Sequence, residues 1–223
     1  MVAFALAGVI ATAALRSFSD DSTGSFTPVA FAASTPLLFG SLNPGASCEE
    51  IAGWVEAMRG RLPTTLVALS MYPVSYRRAI VGALTNDQKI AVWREHLRTF
   101  LSGGEALEPD QRRFIESVLD RLDEFFADAR DDEALDDLQA RSKEILGSGL
   151  ATQVFGNLGP VEPKSAVIEN LGRAAGIKCS CSTSSDWCGG NYDCYSGPCD
   201  ATSLGCGTFL LYSCNGLCWD GAM

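Results

Sequence analysis

From residue 47 to residue 146 apolar side chains recur every three or four positions, the period of helices buried on one face. Ser47 followed by Glu50 is a capping-box pattern, and Ile51, Trp54, Val55 and Met58 then line one side of a helix ending near Gly60. A second helical stretch runs from about Thr64 to Met71. Pro73 suits the first turn of the next helix, which carries Tyr76, Ile80 and Leu84 on one side. Thr85 and Gln88 repeat the capping box and open a helix with Ile90, Trp93, Leu97 and Phe100 inward, closed by Gly103-Gly104. Pro109 starts another, with Phe114, Val118, Leu122 and Phe125 at helical spacing, and an acidic helix from about Glu133 to Leu146 stops at Gly147. The pattern predicts a helical bundle over residues 48–146.

On either side the period fails. Val2 to Leu15 is a 14-residue apolar, uncharged run, suited to the core of a signal peptide and short for a membrane span of about 20 residues. Residues 1–32 are therefore read as a candidate signal peptide and leader, with small-residue cleavage patterns at Ala11-Thr12-Ala13 and Ala30-Phe31-Ala32. No Lys or Arg precedes the run, a departure from the usual basic start; a buried N-terminal helix is the alternative. Residues 33–47 read as linker. Residues 147–178 lose charge and gain glycine, with Pro160 and Pro163 among them, and read as a junction holding a short helix around Ser165 to Ala174 and a candidate processing site.

The last 45 residues change the picture. Eight of the nine cysteines lie there (Cys179, Cys181, Cys188, Cys194, Cys199, Cys206, Cys214 and Cys218), whereas all seventeen Lys and Arg lie before Cys179. Cysteine at about 18 % of a segment that size marks a disulfide scaffold. So small a chain buries too little apolar surface to fold without staples, and disulfides persist only in an oxidising compartment, which implies export. Eight cysteines allow 105 pairings and their spacing selects none. Zinc is disfavoured, since the tail has no C-x2-C pair and no histidine. Thioether rings to the ten Ser and Thr residues among the cysteines are a further alternative. Gly207 to Ser213 reads as a strand. The fold class expected is mainly α: a helical bundle pro-region followed by a small disulfide-rich C-terminal domain, 179–223, with little regular β structure.

Charge and candidate chemistry narrow the function. A net charge of −10 argues against nucleic acid. Fourteen acids against six bases between Glu105 and Glu144 read as a solvated helix face. His96, the only histidine, has no metal-motif partner and reads as a surface or capping residue; neither half pairs a nucleophile with a base, so no catalytic residue, metal or cofactor is expected. Cys48 reads as a free thiol, with lipid attachment or a transient bridge as alternatives. In the tail Trp187, Tyr192, Tyr195, Tyr212 and Trp219 are the candidates for contact with a target, while Phe209 and Leu211 read as core.

Eight cysteines with Trp187, Tyr195-Ser196-Gly197-Pro198-Cys199 and Cys214-Asn215-Gly216-Leu217-Cys218-Trp219, together with Tyr76-Arg77-Arg78-Ala79-Ile80 and Trp93-Arg94-Glu95-His96-Leu97, carry a resemblance to the fulvocin C-related bacteriocins over about residues 48–218. The resemblance implies a precursor: signal, helical pro-region and an exported, cysteine-rich antimicrobial peptide. Its expected partners are the envelope of a target cell, through membrane, cell wall or receptor, and the export machinery and processing protease. The alternative function is a secreted cysteine-rich binding module, an inhibitor or adhesion domain, acting without processing.

Overall fold

The computed structural model describes residues 42–43, 45–103, 106–160, 177–189 and 192–219. The candidate signal peptide, most of the linker and the short helix expected around Ser165 to Ala174 lie outside the described residues. The described residues group as one compact unit.

The helices begin where local chemistry dictates. α1 (Cys48–Ala57) is capped by Ser47, whose Oγ accepts the Glu50 N–H at 3.2 Å while Glu50 accepts the Ser47 N–H at 2.6 Å. After a 3-10 turn and the short α2 (Leu66–Ser70), α3 (Val74–Ala83) follows Pro73. α4 (Asn86–Ser102) opens on the Thr85 and Gln88 capping box, with the two reciprocal bonds at 3.3 and 3.0 Å. Such a cap stabilises a helix by about 1 kcal/mol through donors that would otherwise be unpaired. Pro109 occupies the first turn of α5 (Pro109–Asp120), and α7 (Asp132–Leu146) starts on Asp131, which accepts the Ala134 N–H at 3.0 Å.

Three departures from the sequence pattern before the cysteine-rich tail reflect packing. The pattern carries one helix through Phe125, but the chain breaks at Arg121 and restarts as α6 (Leu122–Phe125), which lets Leu122, Phe125 and Phe126 all turn inward. On α4 the buried stripe is Lys89, Val92, Trp93, His96 and Leu97, whereas Ile90 and Phe100 are only partly buried. Neighbours on several sides of α4, namely α2, α5, α6 and the turn over Thr152–Gly156, widen and rotate that stripe. His96 is consequently a core residue and not a surface one.

The third departure concerns the expected junction. Gly147 ends α7 at a φ of 74°, and the chain then forms α8 (Ser148–Ala151) and a π turn, Thr152–Gly156. Ala151, Val154 and Phe155 are fully buried there and Leu158 nearly so. The buried Arg77 of α3 donates to the Leu158 carbonyl at 2.5 Å and to that of Pro160 at 2.6 Å, so the chain up to Pro160 is tied to the bundle.

The cysteine-rich tail has two small antiparallel pairs. β1 (Asp193–Ser196) pairs with β4 (Gly216–Trp219), and β2 (Thr202–Cys206) pairs irregularly with β3 (Tyr212–Cys214). The strand expected over Gly207 to Ser213 forms only from Tyr212; Thr208–Leu210 is a 3-10 turn, in which Phe209 and Leu210 take left-handed φ values of 54° and 60°. A β-propensity reading fails there because the segment is a loop tip buried against helices, and local preference yields to that packing. The fold is mainly α with a disulfide-rich C-terminal part of short strands. Its helices and tail share one hydrophobic core, which runs from Ile51 through Trp93 and Phe155 to Phe209 and Tyr212. No helix among the described residues is long and apolar enough to cross a membrane.

Candidate functional site

All eight tail cysteines are paired: Cys179 with Cys199, Cys181 with Cys194, Cys188 with Cys218 and Cys206 with Cys214. The Sγ atoms of Cys181, Cys188 and Cys218 come within 4.8 Å of one another, but each is bonded to another sulfur and has no thiolate to offer a metal. Cys48 remains a free thiol. It lies on the first turn of α1, its Sγ donates to the Asp200 carbonyl at 3.7 Å, and partial burial raises its pKa.

The Cys206–Cys214 bridge closes a loop whose tip is the most buried part of the tail. Gly207, at a φ of 71°, starts the turn; a Cβ there would stand 2.5 Å from the Tyr212 ring and 2.8 Å from the Ser185 Cβ, so only glycine fits. Phe209, with no exposed surface, is then seated among four aromatic rings of the helical region. Its ring centroid lies 5.1 Å from Trp93, 5.5 Å from Phe125, 5.5 Å from Phe126 and 5.9 Å from Phe155, mostly in the tilted or edge-to-face orientations that aromatic quadrupoles prefer.

A polar network surrounds this apolar insertion. Trp187 Nε1 donates to Thr208 Oγ1 at 3.0 Å, the Thr208 N–H donates to Ser185 Oγ at 2.9 Å, and Ser185 Oγ donates to Gln139 Oε1 of α7 at 2.7 Å. These groups are neutral, and what they accomplish is to satisfy buried donors while fixing the tail to α7. Cations from the helical region complete the seam. Arg130 donates to the Leu211 carbonyl at 2.9 Å and lies 4.8 Å above the Tyr212 ring, Lys143 lies 5.9 Å from the Trp187 ring, and Arg78 donates to the Ser180 carbonyl at 3.0 Å. Burial, with the carboxylates of Asp136 and Asp132 nearby, pushes the Tyr212 hydroxyl up to about 12.

The five aromatic candidates therefore separate into two groups. Trp187 and Tyr212 are 7 % and 6 % exposed and contact the helices in the intact chain, where ring area too large for a 45-residue frame is covered by the bundle. Tyr192, Tyr195 and Trp219 are 38 %, 53 % and 48 % exposed and sit on or beside the β1–β4 ribbon. Sequence reasoning missed Ser185, Thr208 and Gln139, small polar residues whose only signal is long-range pairing. It placed Phe209 in a core, yet the core is that of the helices. No protein-family model, no curated protein and no solved structure matches this chain.

Proposed function

We propose that this chain is an exported precursor of a disulfide-stapled, bacteriocin-like antimicrobial peptide within residues 179–223, kept covered by its helical region until cleavage. The observation that carries the reading is the seating of Phe209 inside the helical core, which hides the tail's most apolar surface while the chain is intact. Removing the helices would uncover Trp187, Phe209, Leu210, Leu211 and Tyr212 together, and a patch of that kind is suited to a membrane or a receptor pocket. The four disulfides favour an extracellular protein. The resemblance to fulvocin C-related bacteriocins points the same way. Because residues 147–160 are packed, processing is assigned to residues 161–178, by an envelope or extracellular protease after export, and the target is a component of another cell's envelope.

The test is the secreted product. An N-terminal sequence beginning near Lys178 or Cys179, oxidised cysteines and growth inhibition by the cleaved form alone are the expected results. A supernatant holding only full-length, reduced and inactive chain would remove the basis of the reading. A second reading, a secreted binding module that works intact, is favoured by the bonds from Gln139 and Arg130 that hold the tail to the helices. An unprocessed extracellular chain with a saturable ligand and no toxicity would select it.

A further inference from the structure

We infer that the outer face of the β1–β4 ribbon is a docking platform for an arginine- or lysine-bearing segment of a partner protein. The inference rests on the reading that the tail meets the target, and does not require that the outcome be toxic.

The register sets the face. Asp193 stands opposite Trp219, Cys194 opposite Cys218 and Tyr195 opposite Leu217, and side chains alternate along each strand. Asp193, Tyr195, Leu217 and Trp219 therefore share one side, while Cys194 and Cys218 share the other. On that inner side the two cysteines are bridged to Cys181 and Cys188, and Asp186 accepts the backbone N–H groups of Cys188 and Cys194 at 2.8 and 2.9 Å. The outer rings thus stand on a base with little freedom, so little ordering is lost when a ligand binds. Tyr195 and Trp219 are exposed, and no ring or cation contact covers either among the described residues.

Charge selects the occupant. From Cys179 onward the chain has four aspartates and no Lys or Arg, and Asp193 is exposed beside the rings. A carboxylate next to aromatic faces attracts ammonium or guanidinium and repels phosphate, which disfavours anionic lipid headgroups and nucleic acid. The intact chain already shows the preference. Where the helices meet the tail, Arg130 covers Tyr212, Lys143 approaches Trp187 and Arg78 takes a tail carbonyl. Tyr195 and Trp219 offer the same ring chemistry on the side the helices leave open.

The intact, oxidised protein can be titrated against a labelled peptide of alternating Arg and Gly, read by fluorescence anisotropy. Matched peptides with Ser or Asp in place of Arg, a neutral oligosaccharide and phosphatidylcholine vesicles are the comparison probes. The expected result is saturable binding to the Arg peptide alone, weakened roughly 3- to 10-fold by Tyr195→Ala, by Trp219→Ala and by Asp193→Asn, and weakened by salt. Glu116→Gln, on an exposed site of α5, should leave it unchanged. Equal losses from Glu116→Gln and Asp193→Asn would mean bulk charge attraction and overturn the proposal, as would tighter binding to the oligosaccharide or the vesicles. Because binding is read without any growth assay, its failure and a failure of the antimicrobial reading are distinct results.

Discussion

Phe209 is a residue of the cysteine-rich tail whose neighbours are helical. Truncating a fully buried aromatic costs about 3–5 kcal/mol, so Phe209→Ala should lower the denaturation midpoint of the helices themselves, followed by far-ultraviolet circular dichroism without reductant. A helical transition unmoved by this substitution would show that the tail contributes nothing to the bundle. His96 makes a second residue-scale prediction. Burial pushes its pKa down from 6.5 to about 4, even though Nε2 donates to the Gln153 carbonyl at 3.3 Å. The folded chain holds the ring neutral while the unfolded chain binds a proton below about pH 6.5. Stability from this site is therefore complete above that pH and drains away as pH falls toward 4, by about 3 kcal/mol. Urea midpoints measured from pH 7 to pH 4 should show the loss, and His96→Gln should flatten it.

At the scale of elements, what repeats locally was readable and what depends on distant partners was not. The caps at Ser47 and Thr85, the start at Pro109 and the stop at Gly147 are written within a few residues of where they act. The need for staples was also legible, because cysteine density sets it, whereas the pairing is a property of the folded path. The buried stripe of α4 was misjudged because a single period assumes one packed side, while α4 is packed on several. Residues 147–178 read as a junction by their glycines. Gly156 instead admits the Trp187 side chain, whose Cβ would lie 2.8 Å from any Cβ placed there. Thr85→Ala should cost about 1 kcal/mol by removing the α4 cap, a change confined to stability and measurable by thermal melting.

For the molecule as a whole the disulfide-bonded tail and the helices share one hydrophobic core. The bridges span 20, 13, 30 and 8 residues, and each stabilises by roughly 2–4 kcal/mol through restriction of the unfolded chain. Reductant should consequently lower the melting temperature of the helices, although no cysteine bridge lies within them. Thiol alkylation provides the matching count. One thiol per native chain, Cys48, should react before reduction, slowly because its pKa is raised, and nine should react after reduction and unfolding, as read by intact mass. Two or more reactive thiols in the oxidised native protein would contradict the pairing.

The sulfur-closed loop that carries Phe209 into the bundle also sets an order of events. With Cys206 and Cys214 reduced, the loop loses its covalent closure, and seating the ring costs more chain entropy. The helices should therefore reach their full stability only once a bond that lies outside them has formed.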